Sequence, residues 1–347
     1  MKDYYGFGNT GKKTRPTPVI DRRDFIKLSS GAAAALAVSP LFLPSCGGMT
    51  MEKRMLGRTG EMVSIITVGG LHMSWIETSD GHIDVEDQEG IGIVRRAIDA
   101  GVNFCDNAWS YNQGRSEELM GKALKDGYRQ KTMIMTKLNG RTPERLQEQF
   151  EQSLKRYQTD YIDVMQFHVI GLWNGDADAV YERGLLEWAV KKRDEGLIRF
   201  IGFTGHNDPD CHIDMINRGF EWDTCQFPVN LVDYNYPGKS FGKDVLPLCN
   251  EKNIGVIAMK TNGYGRDWYK DYATPVEGLR YAMSQNVATV ASGMTSIPIM
   301  EENVAAALNF SPLSKTELAE YRSRLDEYPE DLEHYRTKPF DPPARVL

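Results

Sequence analysis

GVNFCDNAWSYNQGRSEELMGKALKDGYRQKTMIMTK, residues 101–137, holds one complete turn of the chain's plan. An apolar run, Val102–Asp106, ends on an acid. A segment with apolar residues at helical spacing follows over 116–126, and a second apolar run, Thr132–Lys137, ends on a base. Short apolar runs bounded by turn residues read as buried strands, and the amphipathic segment between them reads as a crossover helix. Outward from this unit the same alternation predicts strands at Val63–Gly69, Tyr161–His168, Arg199–Gly202, Thr224–Pro228, Gly255–Lys260 and Ala288–Ser292. Helices are predicted at 87–100, 143–157, 180–195, 210–218, 242–252, 276–285 and 300–309. Eight strand–helix units predict an α/β fold with a parallel sheet, and eight is the number that closes a barrel. A doubly wound open sheet is the alternative, but no G-x-G-x-x-G follows an early strand to support it. The expected architecture is a (β/α)8 TIM barrel over residues 51–328.

Ahead of the first strand, Arg54–Val63 contains Gly57 and Gly60 and predicts a short hairpin capping the barrel floor. Past the eighth unit, Ser314–Asp326 predicts one extra helix opened by a Ser314/Glu317 capping box. Prolines at 329, 339, 342 and 343 exclude long regular structure, so 329–347 is expected to lie extended across the barrel.

With 41% hydrophobic and 26% charged residues the composition is globular, and a net charge of −7 lacks the basic footprint of a nucleic-acid binder. The cysteines at 46, 105, 211, 225 and 249 form no CxxC pair and imply no disulfide framework. His72, His206 and His212 show neither HxH nor HExxH spacing, so no metal is expected.

Residues 1–46 read as a separate leader, with seven Lys or Arg against three Asp. Arg22-Arg23-Asp24-Phe25-Ile26-Lys27 precedes an apolar run, Leu28–Leu43, interrupted by Ser29, Ser30, Gly31 and Pro40. That run is short for a membrane span, which takes about 20 residues. The pattern resembles a twin-arginine export signal; an amphipathic helix is the plainer alternative. Leu43-Pro44-Ser45-Cys46-Gly47 is similar to a lipoprotein box with Cys46 as acceptor, while ordinary cleavage nearby or an uncleaved anchor stay open. The expectation is an exported protein of the periplasm or cell envelope, partnered by the twin-arginine machinery. It would touch the membrane only through the leader or a lipid on Cys46.

In such a barrel, reactive groups come from the carboxyl ends of several strands. Asp106 ends the second strand with Tyr111 five residues on, Lys137 ends the third and His168 ends the fourth. Singly these would be a helix cap, half-buried packing and solvated strand ends. Together at one rim they make a proton donor. A free tyrosine has a pKa of about 10. A neighbouring ammonium stabilises its phenolate, and a carboxylate keeps the ammonium charged and fixed. Neutral His168 would orient a carbonyl oxygen while Tyr111 protonates it.

Several blocks in order carry a resemblance to the aldo/keto reductase family across most of 53–310. Residues 101–111 with Gly114–Gly121 are similar to its first signature, and Thr136-Lys137 to its lysine motif. Ser153–Arg156, Asp160–Asp163 and His168 resemble its fourth strand. The resemblance implies carbonyl reduction with NADH or NADPH, the substrate being a small carbonyl or alcohol. It also implies cofactor contacts from Gly70, Thr204, Gln226, Met259, Lys260, Asn262, Thr295, Glu302 and Asn303. Gln226 matches the family's carboxamide-binding glutamine, and Glu302 with Asn303 its adenosine-side pair. Lys260 would face the pyrophosphate.

Three positions depart from the family pattern. Gly205 stands where an asparagine usually follows Thr204, and Met259 replaces the usual aromatic ring, a thioether that still packs on a π-face. Thr295 stands where a cation usually grips the 2′-phosphate, with none before Lys315. That loss favours NADH. Rim aromatics Trp109, Trp173, Tyr264, Trp268, Tyr269 and Tyr272 offer stacking surfaces for a sugar or a flat ketone. Two other readings stand beside the reductase: a non-catalytic envelope binding protein on a degenerate barrel, and Schiff-base chemistry at Lys137, which the nearby Asp106 disfavours.

Overall fold

The computed structural model describes residues 50–73, 87–263 and 271–325. The leader with Cys46, the tail 329–347, and Tyr264, Trp268 and Tyr269 lie outside the described residues.

The apolar runs become eight parallel strands: β3 (Ile66–Gly69), β4 (Phe104–Asp106), β5 (Met133–Leu138), β6 (Ile162–Phe167), β7 (Ile198–Thr204), β8 (Thr224–Pro228), β9 (Gly255–Met259) and β10 (Thr289–Gly293). Each pairs with the next in sequence, and β10 returns to β3 through Val290 opposite Ile66, closing a (β/α)8 barrel. The amphipathic segments surround it as α1 (Asp87–Asp99), α2 (Arg115–Ala123), α3 (Pro143–Tyr157), α4 (Asp176–Glu182), α5 (Leu185–Asp194), α6 (Pro209–Asn217), α7 (Leu231–Asn235), α8 (Leu246–Glu251), α9 (Pro275–Met283) and α10 (Ile297–Leu308). Helix α3 shows the local logic. Thr142 accepts a hydrogen bond from Arg145 N, and Pro143 occupies the first turn, where a missing N–H costs nothing. Leu146, Phe150 and Tyr157 are buried along one face. The extra helix α11 (Lys315–Ser323) is present with both arms of its Ser314/Glu317 capping box.

The floor is a hairpin. Strand β1 (Lys53–Met55) pairs antiparallel with β2 (Met62–Ser64), joined through a 3₁₀ turn at Gly57–Thr59. Gly57 adopts φ 55, and a Cβ there would fall 2.1 Å from the Gly255 nitrogen, so only glycine lets the turn lie against β9. Leu56 and Val63, both fully buried, enter the barrel and pack with Phe104, Met133, Met135, Val164, Ile257 and Ala288. Burying a leucine or valine in this way contributes about 1.5–3 kcal/mol. A larger cluster fills the space between strands and helices around Trp222, Phe167 and Phe203. Among the described residues no helix is long and apolar enough to cross a membrane.

Several predicted boundaries shift. The run Val63–Gly69 is divided, because hairpin pairing takes Val63 and Ser64 to the floor before β3 begins at Ile66. The single helix predicted over 180–195 is two, broken where Gly184 turns left-handed at φ 77. The helix predicted over 242–252 begins as a π turn, Phe241–Val245, and restarts as α8 around Pro247, which has no N–H to give. Strand β7 runs to Thr204 rather than stopping at Gly202.

Candidate active site

The carboxyl ends of β4, β5 and β6 bring Asp106, Lys137 and His168 to one mouth, 5%, 1% and 8% exposed. The Lys137 ammonium has three protons and three acceptors. It donates to Asp106 Oδ1, to the Asn107 carbonyl at 2.7 Å and to the Tyr111 hydroxyl at 3.3 Å. Burial pulls the Lys137 pKa below its ordinary value, and Asp106 opposes that shift. The second Asp106 oxygen accepts from Gln226 Nε2 at 3.1 Å, across the barrel from β8. A buried carboxylate engaged on both oxygens is the condition for a fixed, charged lysine beside it.

Tyr111 reaches this cluster through an unusual loop. Its backbone N–H bonds to the Ala108 carbonyl at 3.1 Å. The next three residues, Asn112, Gln113 and Gly114, are all left-handed, at φ 48, 57 and 96. Asn112 pins the turn, its Nδ2 donating to the Leu71 carbonyl and to Ser116 Oγ, each at 2.9 Å. Non-glycine residues held in this region cost about 1–3 kcal/mol each, which such bonds offset. The hydroxyl consequently faces Lys137, and the ring meets His168 edge to face at 5.9 Å.

His168 is set by its backbone: its N–H donates to the Leu138 carbonyl at 2.8 Å, and its carbonyl accepts from Arg141 Nη1 at 2.8 Å. Arg141 is itself buried and paired with Asp176 at 2.8 Å. Burial first, then the positive charges of Lys137, Arg141 and Lys260, hold the His168 pKa well below the usual histidine value. The ring is neutral near pH 7, with one nitrogen free to donate and the other to accept.

Further out, Glu117 accepts from Thr136 Oγ1 at 2.5 Å and from Arg156 at 3.0 Å, and Arg156 also holds the Trp109 carbonyl at 2.9 Å. This knits α2 and α3 to the loop that carries Tyr111. Asn107, Arg141 and Glu117 were not singled out from the sequence. Asn107 had the one available signal, its place beside Asp106.

The residues expected around a cofactor divide. Thr204 and Gln226 are direct neighbours across β7 and β8, both buried, at the same mouth. Gly70 donates to the Asp106 carbonyl at 2.8 Å, and a Cβ there would sit 2.6 Å from that oxygen. Met259 ends β9, and Lys260 follows it. Thr295 lies half-buried in the loop before α10, and Glu302 is exposed on that helix. Two amides face elsewhere. Asn303 donates to Ser292 Oγ at 3.0 Å and to the Gly293 carbonyl at 3.2 Å, tying α10 to β10. Asn262 turns toward α9, where a Cβ on Gly278 would fall 2.2 Å from its Oδ1. Of the rim aromatics, Trp109 is bonded outward to Gln152 at 2.8 Å, Trp173 stacks on Arg141, and Tyr272 packs beside Leu231 and Leu325.

A sequence profile described as "Aldo/keto reductase family" matches residues 66–275. L-galactose dehydrogenase of Arabidopsis thaliana is 26% identical over 305 residues, 76% of this chain and 90% of that protein. A probable voltage-gated potassium channel subunit beta of Oryza sativa is 36% identical over a shorter stretch of 129 residues, 34% of this chain and 37% of that one. Among solved structures, the holo form of an aldo-keto reductase from Bacillus halodurans superposes with a TM-score of 0.64 at 24% identity, covering 82% of this chain and all of that one. An aldo/keto reductase from Klebsiella pneumoniae, in complex with NADP and acetate, gives 0.62 at 23% identity over 83% and 99%. At these identities the structural likeness speaks for the barrel alone.

Proposed function

The chain belongs to the aldo/keto reductase family of oxidoreductases, and from that premise we propose that it interconverts a carbonyl and an alcohol with a nicotinamide cofactor. The observation that carries this reading is the convergence of the Tyr111 hydroxyl, the Lys137 ammonium, the Asp106 carboxylate and the His168 ring at one mouth.

A carbonyl oxygen entering the mouth meets two donors. Neutral His168 gives it a hydrogen bond and fixes its direction, and the Tyr111 hydroxyl transfers its proton as the oxygen gains charge. Lys137, 3.3 Å away, stabilises the phenolate left behind. Asp106 keeps that lysine charged, and Gln226 keeps Asp106 in place. With all its protons engaged, Lys137 is a poor amine nucleophile, which weighs against Schiff-base chemistry.

The residues fit a nicotinamide. Gln226 gives one amide proton to Asp106 and leaves Oε1 buried without a hydrogen-bond partner among the described residues, an acceptor suited to a carboxamide N–H. Met259 at the end of β9 offers a soft surface to a flat ring. The bound nicotinamide would supply or accept the hydride.

Klebsiella pneumoniae relatives are described in complex with NADP or NADPH. Here Thr295 leaves the 2′-phosphate without a cation from that loop, so we favour NADH. Titration of the full chain followed by nucleotide fluorescence should show NADH binding at least as tightly as NADPH. A Kd for NADPH about tenfold lower, equivalent to about 1.4 kcal/mol, would remove that preference. Oxidation of the bound NADH on adding an aldehyde tests the reaction itself; a nucleotide that binds and is never oxidised argues against it.

For the leader we propose export through the twin-arginine route with a lipid on Cys46, the paired arginines and the cysteine after Leu43-Pro44-Ser45 being the support. That route carries folded proteins, so the cofactor would be loaded before export. Arg22→Lys with Arg23→Lys should hold the protein in the cytoplasm, and Cys46→Ala should abolish labelling by radioactive palmitate. Unchanged envelope localisation or unchanged labelling would refute the corresponding half.

A further inference from the structure

His168 follows β6 directly, and the loop beyond it runs through Trp173 into α4. One buried ion pair holds that loop: Arg141 with Asp176, 6% and 4% exposed and 2.8 Å apart. Asp176 uses both of its oxygens. Oδ1 accepts from Arg141 Nε, and Oδ2 accepts the N–H groups of Gly171, Leu172 and Trp173 at 3.1, 3.1 and 3.0 Å. Successive N–H groups gathered on one anion fold the chain around it.

Arg141 uses the rest of its fork on carbonyls. Nη1 donates to those of Asn139, Gly140 and His168 at 3.1, 3.4 and 2.8 Å, and Nη2 to that of Val169 at 3.4 Å. These carbonyls belong to two strand ends. Asn139 and Gly140 follow β5, which carries Lys137, while His168 and Val169 follow β6. The ladder between the two strands finishes with Leu138 opposite Phe167, and the His168 N–H to the Leu138 carbonyl is one rung more. Past that rung the guanidinium carries the tie onward. Its N–H groups lie in one rigid plane, so the carbonyls they bind are held at a fixed spacing.

We propose that Arg141 and Asp176 are positioning residues that set the gap between the Tyr111–Lys137 proton donor and the His168 ring, so that the rate of carbonyl reduction depends on an ion pair with no part in the proton transfer itself. This deepens the carbonyl–alcohol reading of the same mouth and rests on it. A substrate oxygen must meet both donors at once, and a misplacement of about 1 Å can cost about 10²-fold in rate.

The test reads kcat and KM for benzaldehyde, and Kd for NADH, in full-chain Arg141→Lys and Asp176→Asn, each well below its own Tm. Lysine keeps a charge beside Asp176 but has no planar fork to span two strand ends. Asparagine offers one acceptor atom, enough for Arg141 or for the three N–H groups and not for both. Each variant is expected to lose about 10–100-fold in kcat, with KM and the NADH Kd within about threefold of wild type. Where a single variant does not fold, Arg141→Met with Asp176→Asn removes both charges and is expected to show the same loss.

A pair that serves folding alone would lower Tm and leave the kcat of the folded protein unchanged. Turnover within threefold of wild type in either variant would therefore overturn the proposal. So would a loss of NADH affinity as large as the loss of kcat, which would place the effect on the cofactor. A second measurement needs no turnover. With ring-15N histidine, the His168 resonances, assigned by their loss in His168→Gln, are expected as one set in wild type and as shifted or multiple sets in the variants. Resonances identical in all of them would overturn the proposal too. Wild type that never oxidises NADH sinks the reaction, and the His168 resonances then decide the role of the pair.

Discussion

Tyr111→Phe is expected to lower carbonyl turnover by about 10²–10⁴-fold, the usual worth of a positioned general acid, while nucleotide affinity stays within a few-fold. The loss should fall on kcat and on kcat/KM together, because the hydroxyl matters as the oxygen gains charge rather than when the ground state binds. The ring is half-buried and meets His168 edge to face, so phenylalanine keeps the packing and removes one oxygen. Folding should therefore be little changed, and a thermal melt alongside the kinetics checks that. Turnover within threefold of wild type would take Tyr111 out of the mechanism.

Lys137→Met should show the second large effect, and it should appear in stability as well as rate. The substitution leaves Asp106, 5% exposed, with Gln226 as its remaining side-chain partner. Removing one partner of a buried ion pair costs about 3–5 kcal/mol, because the other charge stays buried and uncompensated. For a domain of this size that corresponds to a fall in Tm on the order of 10 °C. Neutralising both partners, Asp106→Asn with Lys137→Met, should recover most of the lost Tm, since asparagine can still accept from Gln226. Activity should not return, since no ammonium remains beside Tyr111. A single variant that melts with wild type would mean that Asp106 is not held as an anion. A double variant as unstable as the single would mean that the loss is packing rather than charge.

How far the sequence reached depends on the range of the interaction involved. Strand–helix alternation is local, so the eight units could be read from apolar spacing, and the closed order follows once each strand pairs with its neighbour. The convergence of Asp106, Lys137 and His168 was legible for the same reason, since residues at equivalent strand ends must share a rim. Misplaced boundaries trace to interactions that spacing does not carry. Val63 is apolar whether it enters the barrel from the floor or continues a strand. Gly184 looks like any helical glycine until its φ is known. Cross-barrel contacts were out of reach: the Gln226–Asp106 bond spans 120 positions, and nothing near Gln226 announces it. The same holds for Arg141, whose support of His168 depends on where two loops meet. Asn303 adds a contact of the same kind, its Nδ2 fastening α10 to β10 in a way its residue type does not announce.

The hairpin whose Leu56 and Val63 plug the lower end has a bearing on traffic. On the proposed carbonyl–nicotinamide reading, two reactants would share the mouth at the opposite end and use it in turn. Whatever settles deeper has to arrive first and depart last, because its exit runs past the other. On that reading a queue is the expected outcome, with the order of arrival set by the wall beneath.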